Sequence, residues 1–189
     1  MTLFRTAEPA AEPVTLADVK AHLRLDCDRE DALLSGLIKA ARCEVERATG
    51  CALLTQEWRL LLDRWPRSNL VVFSIHPVRA VVAITVFDGD GHPTVLDPGS
   101  ILLDGTTRPA RLLIEAPPAP GKALNGIEID LRAGFGDAGT DVPDLLKRAV
   151  ILLSAHWFEF RTELEPAARP ASFPRGYERL IAPYQTRRL

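Results

Sequence analysis

The sequence predicts an α+β protein in which an α-helical core, a helical hairpin plus one long central helix, carries an inserted antiparallel β region. Three patterns lead to this class: helical periodicity over residues 14–50, short β-type segments over residues 56–135, and a long amphipathic pattern over residues 141–163. We expect a flexible N-terminal arm (1–13), a single domain (14–163) and an extended C-terminal tail (164–189).

The first two helices have recognisable starts and one clear end. Thr15 and Asp18 have the spacing of a capping box, with helical apolar spacing after them. An acidic link interrupts the pattern, and Asp28 and Asp31 repeat the capping spacing before a second helix that runs to about residue 49. Gly50 is placed to end that helix as its C-cap. We expect both helices to pack with the central helix.

The β region consists of short runs rich in Val, Ile and Leu between turn residues. The hairpin signal is Asp88-Gly89-Asp90-Gly91, because these residues tolerate a positive φ. The predicted strands are Glu57 to Asp63, Leu70 to Ile75, Val81 to Phe87, Arg111 to Glu115 and Ile127 to Arg132.

The central helix is predicted to begin with Asp141 as an N-terminal cap and Pro143 in the first turn. At 100° per residue, its apolar residues form a broad stripe that faces the core. Ile151 and Phe158 violate this division, because they project among the charged residues of the opposite face. A second apolar surface of this kind is a candidate interface between subunits. The predicted stripe contains Leu145, Leu146, Ala149, Val150, Leu152, Leu153, His156, Trp157 and Phe160.

Composition and charge restrict the function. The 189 residues are 47% hydrophobic and 25% charged, which is typical of a globular domain. The formal net charge is −2, so the chain as a whole has no electrostatic signature of a nucleic-acid binder. The tail carries +3, which leaves −5 for residues 1–163. No segment predicts a membrane span or a signal peptide, and we expect synthesis and folding in the cytoplasm.

Two motifs have the spacing of known ligand-binding loops. Gly134, Gly136 and Gly139 spell G-x-G-x-x-G, but the helix begins too late to present its N–H groups to a pyrophosphate. Asp88 and Asp90 resemble half of a calcium loop, but the later ligand positions are wrong and a hairpin is favoured. The three cysteines are expected to be reduced thiols. We therefore predict no enzyme activity, catalytic residue, metal or cofactor.

The tail interleaves arginines with aromatic residues, the composition of interface hot spots. The same pattern can stack on nucleic acid or remain solvated, and docking on a protein is favoured over both. The candidate docking residues are Phe173, Arg175, Tyr177, Arg179, Leu180, Ile181, Tyr184, Arg187 and Arg188.

The sequence resembles the phage head–tail connector (adaptor) family over nearly the whole of residues 14–184, and several short motifs in a fixed order carry this resemblance. No single one is specific, whereas their order and spacing are. They are Asp18-Val19-Lys20, the acidic link Asp26 to Asp31, Thr49-Gly50, Thr55-Gln56 with Trp58, Gly134-Phe135-Gly136-Asp137, Val142-Pro143 and Ala155-His156-Trp157.

The resemblance implies a structural subunit that assembles as a ring, usually of twelve copies, beneath the portal of a tailed phage or of a gene transfer agent. Such a ring joins the portal protein to the stopper or tail side and leaves a central channel, through which DNA passes without specific binding. Family members dock on the portal through their C-terminal segments, which corresponds here to the tail. Two alternatives stay open: a monomeric protein-binding module and, less favoured, a nucleotide-binding enzyme.

Overall fold

The computed structural model describes residues 1–97, 99, 101–160 and 173–185. The described residues form four α-helices and eight strands. The helices are α1 (Leu16–Leu23), α2 (Asp31–Thr49), α3 (Asp144–Glu159) and α4 (Tyr177–Ile181). The strands are β1 (Thr2–Ala7), β2 (Gln56–Leu62), β3 (Leu70–Val72), β4 (Val78–Phe87), β5 (Pro93–Val95), β6 (Ile101–Asp104), β7 (Arg111–Ile114) and β8 (Ile127–Ala133).

The chain divides into two compact units. The β unit contains Met1–Ala10 and Thr55–Gly134, and the helical unit contains Ala11–Leu54 and Phe135–Leu189. The predicted mixture of helices and antiparallel sheet is therefore confirmed. The predicted domain boundaries at residues 14 and 164 stay predictions.

The β unit contains two antiparallel sheets. Their strand orders are β1-β2-β8-β4-β5 and β3-β7-β6. The five-stranded sheet alternates buried and partly exposed positions along β8, because successive side chains of a strand point to opposite faces. The buried positions of β8 are Ile127, Ile129, Leu131 and Ala133.

The prediction of a flexible N-terminal arm is wrong for residues 2–7. These residues form β1 at the edge of the five-stranded sheet, paired with β2 from Thr2 opposite Leu61 to Ala7 opposite Glu57. The Pro/Ala/Glu composition that suggested an arm begins only at Ala7. The preceding segment alternates exposed and half-buried positions and satisfies its backbone by pairing with β2.

The helical unit is built from α1, α2 and α3, with α4 packed on α3 and α2. The capping box of α1 is confirmed, since the Thr15 hydroxyl accepts from the Asp18 N–H and the Asp18 carboxylate accepts from the Thr15 N–H. Gly50 ends α2 with φ 70°, as predicted. Asp28 and Asp31 do not cap α2. Both carboxylates bind the Lys20 ammonium instead, at 2.6 and 2.9 Å.

Asp141 does not cap α3. Its carboxylate accepts from the Ala138 N–H at 3.0 Å and closes a 3-10 turn, and α3 begins at Asp144 after Pro143. The buried stripe of α3 is also rotated from the prediction, because Leu145 and Phe160 are each 43% exposed. The last predicted helical positions, 161–163, lie outside the described residues. The buried residues are Leu146, Ala149, Val150, Leu153, Ser154, Ala155 and Phe158.

None of the helices in the described part of the chain combines the length and the apolar character that a membrane crossing requires.

Candidate assembly surfaces

The two residues predicted as a subunit interface lie on α3 in different surroundings. Phe158 is 7% exposed and belongs to the core of the helical unit, so the prediction that it projects among charges is wrong. The core reaches this part of α3 because it also includes Tyr177 and Ile181 of α4. Ile151 is only partly buried, at the margin of the same core. Of the predicted pair, only Ile151 is available at the surface.

Ile151 lines a surface groove of about 360 Å³ in the helical unit. Val14 and Ile151 supply the apolar part of its lining, and the charged part consists of Asp18, Asp144, Lys147 and Arg148. The Lys147 ammonium binds the Asp144 carboxylate at 2.8 Å. Its four charged residues fit the polar rim of a protein-binding surface, with Ile151 as the partly exposed apolar residue at its centre.

Neighbouring residues lower the pKa values of the two carboxyl groups in this groove. Hydrogen bonds from Thr15 hold the pKa of the Asp18 carboxyl below its usual value, with a smaller contribution from the positive charge of Lys147. The contact with Lys147 likewise lowers the pKa of Asp144. Both carboxylates are therefore ionised at neutral pH.

The predicted docking tail is partly folded into the helical unit. Tyr177 and Ile181 are buried, and the Phe173 ring stacks on Tyr177 with ring centroids 5.2 Å apart. Leu180 and Tyr184 also pack against the core. These five side chains therefore stabilise the chain's own fold in this structure. No pattern in the sequence separates such residues from anchors for a partner, because both are apolar and helically spaced.

The charged residues of the tail have a different position. Arg175 and Arg179 are exposed on and beside α4. The two remaining predicted docking residues, Arg187 and Arg188, lie outside the described residues. The basic groups of the described tail are thus exposed, while its aromatic groups are buried (Tyr177) or partly buried (Phe173 and Tyr184).

The Tyr177 hydroxyl is the least satisfied group of α4. It is buried, and among the described residues it has no hydrogen-bond partner. Burial, with the negative charges of Glu44 and Glu178, raises the pKa of Tyr177 to about 12. The ring therefore contributes packing. The hydroxyl loses its hydrogen bonds to water on folding, and no hydrogen bond within the described residues replaces them.

An outward-facing row of ion pairs crosses the five-stranded sheet of the β unit. Arg59 binds Asp130 through two nitrogens at 2.7 and 2.9 Å and reaches Glu128 at 3.2 Å, while Arg132 lies 3.6 Å from Glu57. Sequence reasoning missed this row. The sequence pattern that could have predicted it is the alternation of charged and apolar residues in both predicted strands. When β2 pairs with β8, this alternation places opposite charges on one face of the sheet.

The glycine-rich loop is filled by the chain itself. A side chain at Gly136 would collide with the Asp141 carboxylate, and one at Gly139 would collide with the backbone carbonyl of Pro13. Gly134 has φ 141°, a value that favours glycine. The space through which a pyrophosphate would approach Gly136 is therefore occupied by Asp141. The glycines serve close packing within the loop.

The Asp88 turn forms the predicted hairpin, with β4 paired to β5. One oxygen of the Asp88 carboxylate accepts from the backbone N–H groups of Asp90 and His92. These hydrogen bonds lower the pKa of Asp88. Asp88, Asp90 and His92 lie close enough to share a cation, but all three are exposed, and the Asp88 carboxylate already stabilises the turn.

Comparisons with known proteins found one family model and several solved structures that are similar to this chain. The model of the phage gp6-like head-tail connector proteins matches residues 13–84. The whole chain aligns with a chain from a structure described as "Neck of empty GTA particle computed with C6 symmetry", with a TM-score of 0.84, 29% identity, and coverage of 100% of this chain and 97% of that chain.

Residues 13–84 of this chain therefore resemble the phage gp6-like head-tail connector proteins. The predicted resemblance is thereby confirmed. Two further structures match this chain over 100% of its length and 97% of theirs, at 28% identity. They are described as "Virion of native gene transfer agent (GTA) particle", with a TM-score of 0.84, and "Neck of native GTA particle computed with C12 symmetry", with a TM-score of 0.82. No protein among the curated sequences matches the chain.

Proposed function

We propose that this protein is a structural adaptor subunit, which forms a ring between the portal and the stopper or tail side of a tailed phage or gene transfer agent particle. The observation that carries the proposal is the match of the full chain to neck subunits of gene transfer agent particles, at a TM-score of 0.84 and 29% identity. Synthesis takes place in the bacterial cytoplasm, and the protein is then incorporated at the head–tail junction.

The proposed ring contains twelve copies around a channel for DNA. The C12 and C6 symmetries of the matching neck structures support this number. A closed ring requires a heterologous contact, in which two different surfaces of each copy meet. The groove at Ile151 is proposed as part of one such surface. The negative charge of residues 1–163 suits a channel wall that does not retain DNA, because affinity for phosphates rises with the number of basic groups presented.

The proposed portal contact is made by the basic groups of the tail. Since Tyr177 and Ile181 are buried in the helical unit, docking is assigned to the exposed Arg175 and Arg179 together with Arg187 and Arg188. An exposed arginine can bind carboxylates of a partner through two parallel hydrogen bonds.

The assembly is tested by negative-stain microscopy of the protein mixed with the portal protein of its own particle, together with the mass of the protein alone in solution. We expect rings on the portal. A protein that stays monomeric and never joins the portal would contradict the adaptor proposal and favour a monomeric binding module. If the protein is also absent from the portals of particles assembled in cells, a missing assembly factor is excluded as the reason for the failure in vitro.

The docking surface is tested by charge reversal and not by deletion, because deleting the tail would also remove α4 from the core of the helical unit. We expect Arg175→Glu with Arg179→Glu to reduce recovery on the portal about tenfold or more, as the loss of two charge-assisted contacts implies. Arg29→Glu, a charge reversal at an exposed residue of the α1–α2 link, is the control. Equal recovery of both variants would mean that these arginines do not dock.

A further inference from the structure

The β unit exposes two apolar surfaces that the fold does not require. The first, the leucine face, is the outward face of the three-stranded sheet. Leu113 of β7 lies directly between Leu70 of β3 and Leu102 of β6, and Val72 continues the face. Leu102 is 69% exposed, Val72 42% and Leu113 37%. The other face of this sheet buries Val71, Leu112 and Ile114.

The second surface, the valine groove, is a shallow cavity of about 80 Å³ beside β4. Val82 and Val95 are the most exposed of its apolar residues, at 56% and 65%. The acidic residue at this groove is Asp97. The groove is lined by Val81, Val82, Ala83, Ile84, Val95, Leu96, Asp97 and Ile101.

The two surfaces lie on opposite sides of β6. Ile101 lines the valine groove, and the next residue, Leu102, is the most exposed member of the leucine face. Successive side chains of a strand point in opposite directions. One copy can therefore use both surfaces at the same time, with a different neighbour on each side. This is the arrangement that a heterologous ring contact requires, and an isologous dimer does not need it.

We propose that the leucine face of one copy packs into the valine groove of the next, with Leu102 as the inserted side chain. This inference rests on the proposed ring and names a contact that joins its subunits. Charge supports the pairing, because the leucine face carries Arg111 at its margin and the groove carries Asp97. Arg111 is already bound to Asp104 at 2.6 Å, so a neighbouring Asp97 would extend an existing ion pair into a short network.

The size of the contact predicts how it behaves. Four side chains cover much less than the roughly 800 Å² per partner of a standard stable interface. The contact therefore does not hold two free copies together, and it acts when copies are already concentrated, as on a portal. Ring closure adds to it, since each copy then makes the contact twice.

The test is a charge exchange between the two surfaces. Leu102→Lys and Val95→Glu each place a charge in the apolar contact, and we expect either change alone to lower the yield of rings on the portal about tenfold or more. Both changes in one chain place Lys against Glu at every contact, and we expect the yield to recover to within a few-fold of the parent. Both residues are largely exposed, so the melting temperature of each variant should equal that of the parent.

The matched control is Leu124→Lys, because Leu124 is also 69% exposed and lies outside both surfaces. This variant should form rings normally. Normal ring yield with Leu102→Lys or Val95→Glu, or a double variant worse than both, would overturn the proposed pairing and leave the adaptor function intact. Failure of the parent chain to form rings would instead overturn the adaptor function, and this contact with it.

Discussion

At the scale of single residues, two buried polar groups, Arg42 and His76, affect the stability of the fold. Arg42 is fully buried on α2 and binds Glu12 at 2.8 Å and Glu46 at 3.1 Å. Glu46 in turn accepts from the Leu53 N–H at 3.0 Å. One guanidinium thus connects the segment before α1 with the segment after α2. Replacing Arg42 alone would remove the ion pair of the nearly buried Glu46 carboxylate, which is costlier than replacing the charged groups together.

His76 predicts a pH dependence of stability. The residue is 3% exposed, and burial, with the positive charge of Arg108, lowers the pKa of His76 to about 4. The unfolded chain binds a proton near pH 6.5, whereas the folded chain does so only near pH 4. The stabilisation is therefore complete above pH 6.5 and is lost as the pH falls towards 4, by an amount on the order of 3 kcal/mol.

We expect His76→Gln to flatten the fall in the free energy of unfolding between pH 6.5 and pH 4. Urea unfolding at several pH values measures this slope. His22→Gln, at an exposed histidine, is the control and should leave most of the slope in place. An unchanged slope in the His76 variant would show that other groups cause the acid sensitivity.

At the scale of elements, α4 is the segment for which the predicted role and the observed position differ most. It has only five residues, and α-helices of that length are not stable alone. Its position therefore depends on packing, chiefly of the buried side chains of Tyr177 and Ile181. Its exposed arginines remain available to a partner. One short element thus combines a structural face with a candidate docking face.

Two substitutions at Tyr177 separate packing from hydrogen bonding. Tyr177→Phe removes a buried hydroxyl without a partner among the described residues, so we expect stability to stay equal or rise by up to about 1 kcal/mol. Tyr177→Ala removes the ring, and we expect a loss of about 3–5 kcal/mol. Thermal or urea unfolding measures both. Equal, small effects of the two substitutions would mean that α4 is not docked in solution.

At the scale of the whole molecule, the proposed assembly surfaces lie in both units, and the one in the helical unit is the groove at Ile151. Ile151→Asp places a charge in the groove that contains Val14. If this groove contributes to the contact between copies, we expect the variant to reduce the yield of rings on the portal about tenfold. The free chain should stay folded at a slightly lower melting temperature, because Ile151 packs at the margin of the core. Phe158→Asp cannot serve this purpose, because Phe158 is in the core and its substitution would unfold the helical unit. Normal rings from Ile151→Asp would remove the groove from the proposed interface.

The sequence by itself determined the class of the protein, the hairpin at Asp88, the capping box at Thr15 and the end of α2 at Gly50. These features depend on neighbours within a few residues, and local propensity and side-chain spacing predict them. The family could also be recognised, because its signal is the order of many weak motifs along the chain. Each motif alone carried little information.

The tertiary structure decided which apolar residues lie at the surface and which lie in the core. Ile151 and Phe158 have the same helical phase, yet one is partly buried at the margin of the core and the other is in the core, where α4 extends it. The tail aromatics, the strand at residues 2–7 and the leucine face likewise depend on partners distant in the chain. Burial and strand pairing are properties of such long-range contacts, and no local pattern specifies them.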